Sequence, residues 1–147
     1  MSRPLTRAEL DAAVVKAFEV RERAHAPYSG YRVGAVLVLE DGSMHVGCNV
    51  EVASYGGTVC AERNAVAAMI ASGGRAPIAC VVATHDVKPT MPCGLCRQTL
   101  NEVADDLHVL AVTELPSGER VEQMSSMAEL LPFGFKFDPT TKGQPAR

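Results

Sequence analysis

The sequence predicts an α/β fold, with one mixed β-sheet covered by helices. Three observations carry that expectation. Val- and Leu-rich runs alternate with longer segments of helical periodicity. Two neighbouring runs are joined by Asp41-Gly42, a strong hairpin signal. A third run, Pro77 to Thr84, is apolar almost throughout and bounded by turn residues, as expected of a strand buried on both faces.

The elements follow in order. Residues 6–24 read as a helix, with Thr6 as N-cap and Glu9 completing a capping box. Leu10, Val14, Ala17 and Phe18 form its apolar stripe. Ala26-Pro27-Tyr28-Ser29-Gly30 turns the chain. Tyr31 to Glu40 and Ser43 to Val50 are the strands on either side of Asp41-Gly42. Glu51 to Thr58 is a loop, and the helix opened by Cys60 stops at Ser72-Gly73-Gly74. After the strand at Pro77–Thr84 and a polar loop, residues 93–104 resume a helical pattern. Leu107 to Val112 and Arg120 to Met124 read as strands around the turn Pro116-Ser117-Gly118. Ser126 to Leu131 is a short helix stopped by Pro132. Residues 1–137 are expected to form one domain, with 138–147 a loose tail.

Composition narrows the function. At 147 residues the chain is long enough for a real core. A net charge of −3 argues against a general binder of phosphate backbones, which needs a basic surface. No segment is apolar for long enough to span a membrane, and the N-terminus lacks a signal-peptide core. The expected location is cytoplasmic. Five cysteines, an odd count, argue against a disulfide framework. Cys80 lies in an apolar run and reads as core, as does Cys48 at the end of a strand.

The remaining three cysteines carry chemistry. Cys60 opens a helical segment, and Cys93 and Cys96 form a CxxC pair at the start of another. Three thiols from two places can hold one zinc and leave a fourth position open, which separates a catalytic zinc from a structural one. A helix N-terminus favours the thiolate that zinc requires. Three thiolates and one Zn2+ sum to a formal charge of about −1. Arg63 and Arg97, beside the ligands in sequence, can donate to the sulfurs and offset that charge. Glu62 can take a proton from an activated water and deliver it to a substrate nitrogen. Each of these residues also has a plain reading: helix-start acid for Glu62, solvated surface charge for the arginines. A closed structural zinc site stays open as well, with Cys48, Cys80, His25, His45, His85 or His108 as fourth ligand.

Cys60-Ala61-Glu62 with Pro92-Cys93-Gly94-Leu95-Cys96 resembles the signature of the cytidine deaminase family. The likeness extends to Pro27-Tyr28-Ser29, Val33-Gly34-Ala35, Cys48-Asn49-Val50-Glu51, Ala53-Ser54-Tyr55 and Leu130-Leu131-Pro132 with Phe135. The resemblance implies an α/β/α sandwich with a five-stranded mixed sheet. It implies hydrolytic loss of ammonia from cytidine or deoxycytidine, giving uridine or deoxyuridine in pyrimidine salvage. It implies one zinc per subunit on Cys60, Cys93 and Cys96, with Glu62 as proton carrier. Asn49 and Glu51 would bond the ribose, the Ala61 backbone would contact the base, and Tyr31 would stack near it. Family members of the three-cysteine type are homotetramers, and Tyr55 and Phe135 fall at positions of contact between neighbouring subunits.

The loop departs from the family pattern at Val52, where Asn is usual, and at Gly57, where a larger apolar residue is common. These departures keep a second substrate in play, a modified cytosine nucleoside or an aminated nucleoside antibiotic. A third reading is a non-catalytic, zinc-stabilised binding module.

Overall fold

The computed structural model describes residues 2–138, so most of the tail expected over 138–147 lies outside the described residues. Helix α1 (Arg7–Arg21) begins with the expected capping box: the Thr6 hydroxyl accepts from Glu9 N–H, and the Glu9 carboxylate accepts from Thr6 N–H. It ends short of residue 24, capped by Glu22. Strands β1 (Gly34–Leu39) and β2 (Met44–Cys48) form the expected hairpin. After a single turn of 3-10 helix at Tyr55–Gly57 come α2 (Ala61–Ala71), β3 (Pro77–Thr84), α3 (Gly94–Val103), β4 (His108–Glu114), β5 (Arg120–Ser126) and α4 (Met127–Leu130).

The five strands make one sheet in the order β2-β1-β3-β4-β5. Only β3 and β4 run parallel, joined through α3, so the sheet is mixed as expected. Strand β1 starts at Gly34 rather than Tyr31. The cause is local: Val33 N–H donates to the Asn49 side chain and has no ladder partner.

Alternation along the strands sorts two cores onto the two faces. Val36, Val38, Val81 and Val112 meet Ala13, Val14 and Ala17 of α1. Leu37, Leu39, Val82 and Val109 meet Ala65 and Met69 of α2, Leu100 of α3 and Met127 of α4. The result is an α/β/α sandwich with α1 on one side and the other three helices opposite. Cys80 is fully buried in the second core, as expected; Cys48 is only half-buried.

Two glycines permit the layers to approach this closely. A Cβ at Gly34 would stand 1.9 Å from the Ala17 carbonyl oxygen of α1. A Cβ at Gly47 would stand 2.3 Å from Ala65 N and 2.4 Å from Ala61 O, both backbone atoms of α2. Asn64 Nδ2 donates to Cys48 O (2.8 Å), fixing the same helix to the end of β2. The first turn of α2, with its functional residues, is thereby held against the sheet.

Candidate metal centre

Cys60 is the N-cap of α2 and Cys93 the N-cap of α3, with Cys96 in the first turn of α3. Two helix N-termini therefore converge on one point. The three sulfurs lie within 4.8 Å of one another, and Cys60 Sγ is 3.7 Å from Cys93 Sγ. Sulfurs about 2.3 Å from a shared tetrahedral zinc stand about 3.8 Å apart, so the donor set fits that ion. Among the described residues no fourth protein ligand joins this group, and none of the candidates for a closed structural site does. Cys96 is buried, Cys60 half-buried and Cys93 exposed, so the cluster is reached from one side.

Hydrogen bonding from Cys96 lowers the Cys60 thiol to about 5, with Arg63 and Cys93 acting in the same direction against burial. Cys96, the donor of that pair, is pushed up. Arg63 Nη2 donates to Thr58 O (3.1 Å) and lies 3.8 Å from Cys60 Sγ. Arg97 corrects the expectation from sequence. It donates to Pro92 O (2.7 Å) and Leu130 O (2.8 Å), tying the approach to α3 to the end of α4, and reaches no sulfur. Glu62 is buried, with Oε2 accepting from Cys96 Sγ at 3.7 Å. Burial raises its pKa first, and the nearby Cys60 charge adds to the rise.

Cys60 and Cys93 open onto a cavity of about 230 Å3 lined by Tyr31, Asn49, Glu51, Thr58, Ala61, Glu62 and Thr84, among others, with Cys96 buried behind them. A larger surface hollow of about 760 Å3, around His85 and the turn at 114–118, holds none of the thiols. Six of the residues expected at the site thus come together in one small cavity with Cys93. Asn49 bonds backbone at both ends of its amide: Oδ1 accepts from Val33 N–H (2.8 Å), and Nδ2 donates to Tyr31 O (2.8 Å), which leaves one N–H and one lone pair for a ligand. Glu51 accepts from the Tyr28 and Ser29 N–H groups (3.0 and 3.1 Å) and from the Ser29 hydroxyl. The Ser29 hydroxyl, then the backbone bonds, hold Glu51 below the usual carboxylate range, so it is present as an anion. Tyr31 Oη donates to Asp86 Oδ2 (2.9 Å) and lies 3.1 Å from Thr90 Oγ1. Tyr55 and Phe135 stay outside the cavity, exposed by 68% and 70%; the Tyr55 ring meets the Tyr28 ring edge-on at 5.5 Å. Thr58, Thr84 and Ser29 were not expected from sequence. Thr84 in particular sits in an apolar run with no local signal.

A cage of three thiols beside a buried carboxylate, on an α/β/α sandwich, defines a zinc-dependent deaminase-type centre. Residues 8–112 match the profile of the family described as the cytidine and deoxycytidylate deaminase zinc-binding region. A cytidine deaminase of Sporosarcina psychrophila is 35% identical over 127 residues, covering 86% of this chain and 91% of that protein. The crystal structure of cytidine deaminase from Burkholderia pseudomallei superposes with a TM-score of 0.79 at 40% identity, covering 89% of this chain and 100% of the other. That from Mycobacterium tuberculosis gives a TM-score of 0.74 at 32% identity, covering 87% and 98%. The chain belongs to the cytidine and deoxycytidylate deaminase zinc-binding family.

Proposed function

We propose that this protein deaminates cytidine and deoxycytidine hydrolytically, yielding uridine or deoxyuridine and ammonia. The observation that carries the reading is the shared cavity: Glu62, Cys60 and Cys93 line it together with Asn49 and the anchored anion of Glu51. Cys60, Cys93 and Cys96 would hold zinc. Zinc held there supplies a water whose pKa is low enough for attack at neutral pH. Glu62, whose pKa burial raises, would take one proton from that water and give it to the ring nitrogen beside C4, then carry a second, from the hydroxyl added at C4, to the departing amine. Glu51 accepts from ribose hydroxyls, while Asn49 holds the chain at Tyr31 and Val33 in place around the sugar and base. Ala61, fully buried in the first turn of α2, offers its backbone to the base, and Tyr31 offers its ring.

The charge balance supports this chemistry. Each helix N-terminus contributes roughly +0.5 of a charge, so α2 and α3 together offset the −1 of the thiolate-rich centre. Arg63 adds a full positive charge beside Cys60. Residues 1–137 act in this reading as one deaminase domain in the cytoplasm, serving pyrimidine salvage. A homotetramer is its working form, since Tyr55 and Phe135 leave apolar surface for neighbouring copies to cover. Among the described residues no helix is long and apolar enough to cross a membrane.

One observation favours a second substrate. A Cβ at Gly57 would stand 3.2 Å from Val52 Cγ2, so the two departures in the loop beside Glu51 lie against each other. A shifted loop there would suit a modified cytosine nucleoside. Zinc-loaded protein, given a panel of nucleosides with ammonia release as readout, separates the two; cytidine and deoxycytidine are expected to lead. Glu62→Gln is expected to lose about 100- to 10,000-fold in rate while keeping its metal. A fully active Glu62→Gln overturns the proton-carrier role.

A further inference from the structure

Strand β3 ends inside the cavity at Thr84, which is 1% exposed. Its neighbour across the ladder is Thr113 of β4, also fully buried. The two hydroxyls differ in use. Thr113 Oγ1 accepts from Asp86 N–H (2.7 Å) and donates to Asp86 O (2.9 Å), so it holds the turn that follows β3. Among the described residues the buried Thr84 Oγ1 has no hydrogen-bond partner. It lies close enough to the Tyr31 phenol to act on it but makes no hydrogen bond of ordinary length to it, and the phenol itself bonds Asp86 and Thr90. Asn49 and Glu51, the polar groups on the sugar side, are also engaged. A buried hydroxyl without a partner costs stability, whereas valine of the same shape would not incur that cost. The chain therefore carries at its cavity a buried hydroxyl that no described residue satisfies.

We infer that the Thr84 hydroxyl hydrogen-bonds the pyrimidine base of the bound nucleoside. The inference rests on the deaminase reading above. Thr84 sits on the strand beside Val82, next to Tyr31, on the wall expected to face the base. It makes Thr84 a substrate-binding residue, one that binds product as well as substrate, because it acts on the ring and takes no part in the proton transfers of Glu62.

Three proteins test this: wild type, Thr84→Val and Thr84→Ser, all zinc-loaded. Uridine binding is measured by calorimetry, cytidine turnover by ammonia release, and thermal midpoints without nucleoside. Thr84→Val is expected to weaken uridine binding and raise KM for cytidine about 5- to 30-fold, with a midpoint equal to or above wild type. Thr84→Ser, which keeps the hydroxyl, is expected to stay within about threefold of wild type. The inference is overturned if Thr84→Val binds uridine as wild type does. It is equally overturned if both variants weaken binding alike, or if Thr84→Val lowers the midpoint and leaves binding unchanged, since those results mark a packing role. Wild-type protein that neither binds uridine nor deaminates cytidine overturns the deaminase reading itself; active wild type with unaffected Thr84→Val overturns this inference alone.

Discussion

Replacing Gly47 by alanine perturbs the contact that seats the catalytic helix. The new Cβ would lie 2.3 Å from Ala65 N, 2.4 Å from Ala61 O and 2.9 Å from Ala65 Cα, where ordinary contact begins at 3.4 Å. All three are backbone atoms, so no side chain can swing aside, and α2 and β2 must separate by about 1 Å. Forced overpacking costs about 1–3 kcal/mol, and a contact this rigid belongs at the upper end, about 3 kcal/mol. For a chain of this size each kcal/mol moves the thermal midpoint by about 3–4 °C, so a fall of about 10 °C is expected. The displaced helix carries Cys60 as its N-cap and Glu62 in its first turn. A displacement of about 1 Å at a reacting group can cost about 100-fold in rate. Calorimetry gives the midpoint, and ammonia release from cytidine gives kcat/KM. A Gly47→Ala protein with a midpoint within about 2 °C of wild type and undiminished turnover refutes the reasoning, because the layers would then be able to part freely.

Two other outcomes are open to measurement. Arg63→Ala removes the donor beside Cys60 and is expected to weaken zinc affinity about 10- to 100-fold in a competitive chelator titration, while Arg97→Ala is expected to leave affinity near wild type. Equal losses in the two would show that proximity in sequence matters more than the contact. At the other end of the molecule, hydrogen bonding from Arg3 holds the Glu9 carboxyl at about 2, against an ordinary 4.5. A depressed acid stabilises the fold at pH above its unfolded value, and that contribution fades as pH falls from about 4.5 towards 2. Arg3→Ala is expected to move the Glu9 titration by NMR up towards the ordinary range and to flatten the loss of midpoint over that interval. An unmoved Glu9 titration would remove Arg3 as the cause.

The sequence displays the thiols and Glu62 because their signals are local: each sits within a few residues of a helix start, and the CxxC spacing is fixed by one turn. Strand order was less visible. Hairpin signals at Asp41-Gly42 and Pro116-Ser117-Gly118 mark two antiparallel pairs, but nothing local says that β3 lies between β1 and β4. Arg63 and Arg97 look alike in sequence, the first three residues past Cys60 and the second one residue past Cys96. Only the folded chain separates them, by giving Arg97 the carbonyls of Pro92 and Leu130. Asn49 looks like a sugar ligand in sequence, and only the folded chain shows that its amide also bonds backbone 16 and 18 residues away. Thr84 was hidden for the opposite reason, because one hydroxyl in an apolar strand reads as tolerated core. Gly47 gave no signal at all, since its importance lies in the helix that another part of the chain lays across it.

The sheet order has a kinetic consequence. Strands β1 and β2 close over a tight turn, as do β4 and β5, so each pair can zip early from local contacts. Strand β3 joins the two pairs through long connections that carry α2 on one side and α3 on the other, and such distant closure is the slow part of folding. Cys60 enters the fold before β3, and Cys93 and Cys96 after it. A chain with both hairpins made but β3 undocked would hold every ligand and no centre. The arrival of one interior strand thus turns a set of scattered thiols into a site.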